Sequence, residues 1–600
     1  MRKILLYTLT TLAAAGMASC EDFLTRDTYD QIGSDEFWKS ETDLELYANG
    51  FIQKMIPGDG TITRGDIYAD YCAVDIPTDL LRPDGNVSPD NQTGWAESNW
   101  TNLRRVNYML DNMHKCRGRV SDEIYNHYEG VARFWRAWFY YDKVQTFGAV
   151  PWYDFTIAAS DKEAMMKPRD SREYVMDKVL EDLTFASTYC LSDAKFTKGS
   201  ALINKWVALA FKSRVCLYEG TFRKYHGLND ADYYLAECVS AAGTFIEKSG
   251  YTIYKSGSTP YLNLFSSINA ISSEIILARA FNTAIGLKHD VNGYLTGTTM
   301  GRPGLLKNVA NMYLMKDGTP FTSQPGWETM QLPDESKNRD GRFAQTVRTP
   351  GYKRIDDDKE SAPNLAATMT GYQLVKFLLP AKYDAYQAST SDMPLFRTAE
   401  VYLNYAEAKA ELGTLTQEDL DKTIKPLRER AGVANLSLEW ANANPDPYLA
   451  SAETGYANVT GANKGVILEI RRERTVELLM ENFRYWDIMR WKEGKRFEKP
   501  FEGLYFPGVG SYDLNSDGTD DVCIWSGTKP DTKIPVVYEL GVDVKLSEGD
   551  HGYIRIHDDP NLVRTWNEER DYLYPIPTDD RVLTQGAISQ NPGWDDGLKF

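Results

Sequence analysis

Apolar side chains recur at helical intervals through two long stretches of this chain of 600 residues. Between Asp122 and Phe147, the side chains of Val131, Phe134, Trp135, Trp138 and Phe139 fall on one face of a helix. The same spacing predicts helices over 171–190, 201–219 and 231–248, with Gly220 as a stop signal for the second of these. Further on, Leu395, Ala399, Tyr402 and Ala406 form an i, i+4, i+7, i+11 stripe. Small and aromatic residues on these faces predict helix pairs stacked in the manner of tetratricopeptide repeats, without a fixed repeat length. From Tyr251 to Asp392 the pattern changes to Gly, Pro, Thr and Asn, with apolar runs as short as Ile275–Leu277, and 440–465 and 498–550 are similar. The predicted architecture is mainly α. An α-α superhelix of stacked pairs covers roughly 40–250 and 393–495, and a loop-rich irregular region with short strands covers 251–392 and 496–600.

One late segment is densely charged. Glu473, Glu477 and Glu481 lie four apart, Arg484, Asp487 and Arg490 continue at three-residue steps, and Val476, Leu479, Phe483 and Trp486 supply an apolar stripe. The spacing predicts one continuous helix with a ladder of ion pairs along it, a structural element rather than a catalytic one.

The N-terminus has its own grammar. Arg2 and Lys3 precede an apolar run from Ile4 to Ala15, too short to span a bilayer, and the small residues Ala18 and Ser19 lead into Cys20. This layout resembles a bacterial lipoprotein signal over residues 1–19, cleaved to leave Cys20 as the acylated N-terminus. Met17 stands where Leu is usual. The acidic pair Glu21 and Asp22 resembles the export signal of surface lipoproteins in some Gram-negative bacteria. The expectation is a body tethered to the outer membrane by lipid and facing the cell exterior.

Composition removes several alternatives. With 85 acidic against 67 basic residues the formal charge is -18, which opposes nucleic-acid binding. The seven cysteines are scattered without a CxxC pair, and the six histidines form no HExxH motif, so no zinc site is expected. No GxSxG elbow or phosphate-binding P-loop is present. Aromatic residues make up 12% of the chain. That supply suits a sugar-binding surface, where pyranose rings stack on flat side chains and hydroxyls meet Asp, Asn or Arg.

Candidate ligand-binding residues cluster before the first long helical stretch. Tyr71, Asp75, Asp79, Arg82, Asn91, Trp95, Asn99 and Trp100 lie in Pro- and Gly-punctuated loop, and neither Trp belongs to an apolar stripe. The expectation is that Trp95 or Trp100 stacks on a sugar ring while Asp75 or Asn99 binds its hydroxyls. Trp327 and Tyr372 are further candidates from later loops. Asp513, Asn515, Asp517 and Gly518 occupy the spacing of a calcium loop, with Asp521 at the ninth position. Ile524 stands at the twelfth place instead of a bidentate Glu, so the segment reads either as a structural calcium site or as an Asx-rich turn. No other cofactor is expected.

Several segments, in order along the chain, resemble the SusD/RagB family. They are Arg136–Gly148 followed by Val150 and Pro151, with Ala149 where Asp is frequent, then Pro168-Arg169 with Asp182, Leu183 and Ala186, then Lys212–Tyr218. Phe396–Ala408 is similar over its whole length. So is Glu473–Trp491, with Asn482 in place of the usual Gly, and so are Tyr574–Pro577, Gln590–Gly593 and Asp22–Leu24. The resemblance implies stacked helix pairs with an irregular region, and a glycan site lined in part by the loop before the early repeat helix. It also implies a SusC-like TonB-dependent transporter as partner, to which captured oligosaccharide is delivered. A minority branch, RagB-like, handles peptides. A glycoside hydrolase would need a specific carboxylate pair, which no spacing here singles out.

Overall fold

The computed structural model describes residues 37–77, 87–158, 160–562 and 564–600. Ten helices carry most of the frame. Six precede the loop-rich stretch: α1 (Glu41–Met55), α2 (Glu97–Asn112), α3 (Asp122–Phe147), α4 (Arg172–Tyr189), α5 (Lys205–His226) and α6 (Ala231–Lys248). Four follow it: α7 (Thr398–Glu411), α8 (Gln417–Ala431), α9 (Lys464–Glu477) and α10 (Arg484–Arg490). The starts are set by side-chain caps that satisfy the first free N–H groups. Ser121 accepts from Ile124 N, Ser171 from Tyr174 N, and Asn204 from Trp206 N and Val207 N. Thr416 and Asp419 form a reciprocal capping box on α8.

Neighbouring helices pack as a run: α3 on α4, α4 on α5, α5 on α6, α6 on α7, and α7 on both α8 and α9. The mainly α fold with a loop-rich remainder is what the hydrophobic pattern predicted. Gly220 does not end its helix, however. Helix α5 continues to His226 and stops at Gly227, whose φ of 72° suits a residue without Cβ. Gly220 instead allows close helix packing, because a Cβ there would meet the Leu235 side chain of α6 at 2.8 Å.

The continuous Glu473–Arg490 helix is also corrected. The chain breaks into α9 and α10, with Met480 (φ 61°) and Asn482 (φ 64°) in the left-handed region between them. Asn tolerates that conformation better than most side chains, which accounts for Asn482 at a place usually held by Gly. Nor do the glutamates form a ladder along their own helix. Glu473, Glu477 and Glu481 are buried and pair across the fold with Arg342, Arg397, Arg428, Arg430 and Lys376.

The strands are short and mostly paired antiparallel. β1 (Cys72–Ala73) pairs with β3 (Gly304–Leu305), β2 (Ile275–Arg279) with β4 (Met393–Arg397), and β5 (Phe501–Phe506) with β9 (Gly552–Ile556). β6 (Gly510–Tyr512), β7 (Val522–Trp525) and β8 (Val536–Glu539) make a three-stranded sheet whose β7–β8 pair is parallel. Two apolar cores result. One is built from α1 to α6, and the other from the loop-rich region together with α8 to α10. Helix α7 is buried on both sides, sending Val401 and Ala408 into the first core and Leu403, Ala406 and Ala410 into the second. Strand β2 divides likewise, with Ile276 and Leu277 in one core and Ile275 and Ala278 in the other. Cys72, Cys116, Cys190, Cys216, Cys238 and Cys523 are all buried and joined in no disulfide. Among the described residues no helix is long and apolar enough to cross a membrane.

Candidate functional site

The loop-rich lobe opens a cleft of about 290 Å³ where the turn before β3, the 365–371 loop, β8, the turn after it and the end of β9 converge. Two of its lining residues, Arg302 (φ 47°) and His557 (φ 55°), hold left-handed backbone without being Gly. Such positions cost on the order of 1–3 kcal/mol, persist only when their surroundings fix them, and concentrate at ligand sites. The fixing contacts are visible here. Arg302 O accepts from Met369 N at 2.9 Å, and its guanidinium donates to Leu365 O at 3.1 Å. Tyr538 OH donates to the same carbonyl at 3.0 Å, which orients the phenol ring against the cleft wall. The buried Nε–H of Arg302 has no partner within the protein.

Donors and acceptors alternate around this frame. Lys545 donates to Asp558 O at 2.7 Å, Arg555 stands 3.4 Å from Glu502, and Asp543 accepts from Glu539 N at 2.8 Å. Burial holds the imidazole of His557 below its ordinary pKa, so the neutral ring offers an acceptor nitrogen besides the one bonded to the Val74 backbone. A pocket with both kinds of group and one aromatic wall suits a polyhydroxylated solute, whose adjacent hydroxyls each need a donor and an acceptor.

The sequence-predicted site residues scatter. Asp75 is exposed beside the cleft, its N–H donating to Gly301 O at 2.9 Å, and His557 is hydrogen-bonded to the backbone of neighbouring Val74. Trp327 is half-buried against Phe321 and Tyr448. It adjoins β9, because Tyr553 OH donates to Glu328 O at 2.6 Å, and Tyr553 lies on the same strand face as Arg555. Asp75 therefore flanks the cleft, whereas Trp327 is tied to it only through Tyr553 and β9. Asp79 and Arg82 lie outside the described residues, as does Cys20 with the whole signal segment.

The remaining aromatic candidates sit in or against the cores. Tyr71 is fully buried and donates to Thr475 O at 3.0 Å. Tyr372 is fully buried and donates to Glu335 at 2.7 Å. Trp95 is 5% exposed, edge-on to Trp100 and Phe147, and Trp100 donates its indole N–H to Trp95 O at 2.8 Å. Trp95 closes over α3, where Lys143 donates to Gly94 O, while Trp100 beside it is half-buried. Asn91 and Asn99 are exposed on the same segment, away from the cleft lining. Arg302, Tyr538, Arg555 and His557 escaped sequence reasoning, since hundreds of residues separate the first from the rest and backbone sign is not written in residue type.

The Asp513–Asp521 loop joins β6 to β7 as an Asx-rich turn. Asp513 accepts from the N–H groups of Asn515, Asp517 and Gly518 at 3.2, 3.3 and 2.7 Å, and Asp521 from Leu514 N at 2.8 Å. Asn515 donates its amide to Asp517 at 3.1 Å. Among the described residues no group of three or more His, Cys, Asp or Glu is placed to hold a metal ion. These hydrogen bonds fix the loop's backbone around the Asp513 carboxylate.

Comparison with known proteins agrees with this frame. Residues 279–594 match the model described as the SusD family, and residues 22–217 match one described as "Starch-binding associating with outer membrane". Two SusD-like proteins of Formosa agariphila are 24% and 23% identical, over 79% and 83% of this chain and 87% and 93% of theirs. A SusD-like protein from Bacteroides fragilis superposes with a TM-score of 0.66 at 20% identity, covering 95% of this chain and 100% of that one. A SusD-like carbohydrate binding protein from the same species gives 0.65 at 20% identity, covering 92% and 99%. A chain matched over more than half its length by the family model belongs to the SusD family, and its fold agrees with that of a solved SusD-like protein.

Proposed function

We propose that this protein captures carbohydrate outside the cell, without cleaving it, and hands it to a SusC-like TonB-dependent transporter. The cleft carries the reading: Arg302 and His557, held in costly backbone, place donors and acceptors around Tyr538 where a sugar's hydroxyls can be matched. Trp327 and Tyr553, further along β9 and the loop it meets, are aromatic candidates for neighbouring sugar rings. Support also comes from the matched model described as starch-binding and outer-membrane-associated, and from the solved relative described as carbohydrate binding. Acylation of Cys20 supplies the tether, and a diacylglyceryl mass on the N-terminal peptide, lost in Cys20→Ala, tests it.

The deciding experiment presents the purified protein to arrayed polysaccharides and peptides, with reducing-end release assayed in the same samples. Retention of one glycan class without release is expected, with Arg555→Ala and Tyr538→Ala weakening it at least tenfold. Released reducing ends would make the protein a glycoside hydrolase, and retention of peptides alone would place it with the RagB-like branch.

A further inference from the structure

A larger hollow lies in the helical half, far along the chain from the cleft residues. Helices α2, α3 and α4 and the segment after α3 enclose about 470 Å³, within the ordinary range of small-molecule sites. Its floor is rigid. Arg136 and Asp182 form a buried two-point pair at 2.7 and 2.8 Å, with the Arg136 guanidinium 5.3 Å from the centroid of the Trp152 ring. The Trp152 indole stacks on Tyr140 with centroids 4.2 Å apart. Trp152 is 5% exposed and lines the hollow, yet its Nε1–H finds no acceptor in the protein. A buried, partnerless N–H is unfavourable, and a bound hydroxyl oxygen reaching it would offset that cost.

The walls say what kind of molecule fits. They hold four cationic and five anionic side chains, already largely neutralised against one another. Arg133 pairs with Glu129 at 2.7 Å and with Asp182 at 3.5 Å, and Lys178 with Glu181 at 2.8 Å. An ion of either sign would have to break such pairs. A neutral polyol would not, because paired carboxylates still accept and paired ammonium or guanidinium groups still donate. We propose that the hollow between α2, α3 and α4 is a second carbohydrate site, taking a neutral saccharide unit whose hydroxyl accepts from Trp152 Nε1. It rests on the carbohydrate reading above and adds to it a chain engaged at two places on one protein, with the avidity that linkage confers.

Calorimetry tests this with hexasaccharides released from starch, xylan, galactan and mannan. For the sugar that binds, a stoichiometry of two per chain is expected. Trp152→Phe keeps the ring and removes the N–H, while Lys178→Ala, on the half-exposed rim, guards against a folding defect. Each should reduce the stoichiometry to one, whereas Arg555→Ala should remove the other site. Affinity for the intact polysaccharide should fall at least tenfold when either is lost. A stoichiometry of one, untouched by both groove variants, overturns the second site and leaves the cleft reading standing. The same holds if Arg555→Ala abolishes all binding. Absence of binding by any hexasaccharide would remove both.

Discussion

In the helical core, aromatic rings meet one another across neighbouring helices. Phe134 lies 5.1 Å from Phe211 and 5.2 Å from Trp135, and Trp138 lies 4.8 Å from Phe211. In the second core the equivalent central ground is held by charge. Arg397 alone reaches Glu274 at 3.0 Å, Glu477 at 2.7 Å and Glu481 at 2.7 Å, and Arg342 ties Asp340 to Glu473 and Glu477. The neighbouring guanidinium groups hold the Glu477 carboxyl well below its ordinary pKa, overriding the burial that would raise it. Rings also meet in the second core, as where Phe265 lies 5.0 Å from Phe377, but there buried ion pairs join loop residues such as Arg342 and Glu274 to α8 and α9.

The largest effect should come from breaking that web. Arg397→Met leaves three buried carboxylates short of a partner and should cost at least 3–5 kcal/mol in urea unfolding. A loss under about 1 kcal/mol would mean that the remaining arginines and water absorb the change. Phe211→Ala, in the helical core, should cost about 3–5 kcal/mol through a cavity, at the low end where neighbouring rings relax. If it exceeds Arg397→Met, the contrast between the two cores is wrong.

Acid should separate two sets of helices. His127 accepts from Leu191 N at 3.1 Å, and His226 stacks on Phe222, and burial lowers both imidazoles from 6.5 to about 4. A lowered histidine pKa means stability present above pH 6.5 and lost as the pH falls toward 4. Glu407 is lowered to about 2 by Arg490 and Arg474 despite its burial, so its contribution persists above about pH 4.5 and is lost only below that. Hydrogen exchange at pH 7, 5.5 and 4.5 should therefore show α3 and α5 loosening before the α9 web, by on the order of 2 kcal/mol. Simultaneous loosening would contradict this order. The smallest change should be Tyr71→Phe, about 1 kcal/mol from the lost bond to Thr475 O, with glycan retention untouched.

That last expectation marks where sequence stopped being informative. Helices α3 to α6 were legible because apolar period and caps such as Ser121 and Asn204 coincide. The break between α9 and α10 was hidden, since Val476, Leu479, Phe483 and Trp486 keep helical spacing straight through it and only Asn482 hints otherwise. Tyr71 and Trp95 sit in polar, turn-rich sequence, yet what covers them arrives from Thr475 and from α3, remote in the chain. The cleft itself depends on loops brought together by β3, β8 and β9, a juxtaposition no local pattern records.

Helix α7, walled in on both sides, has a consequence for how the chain is made. Its residues leave the ribosome well after α6 is complete, a delay of roughly ten to thirty seconds at ordinary synthesis rates. Until then the first core lacks Val401 and Ala408, and the second has no wall to form against. The two cores are thus coupled in time, and a nascent chain halted anywhere in the loop-rich stretch presents an open apolar flank that only the arrival of α7 can close.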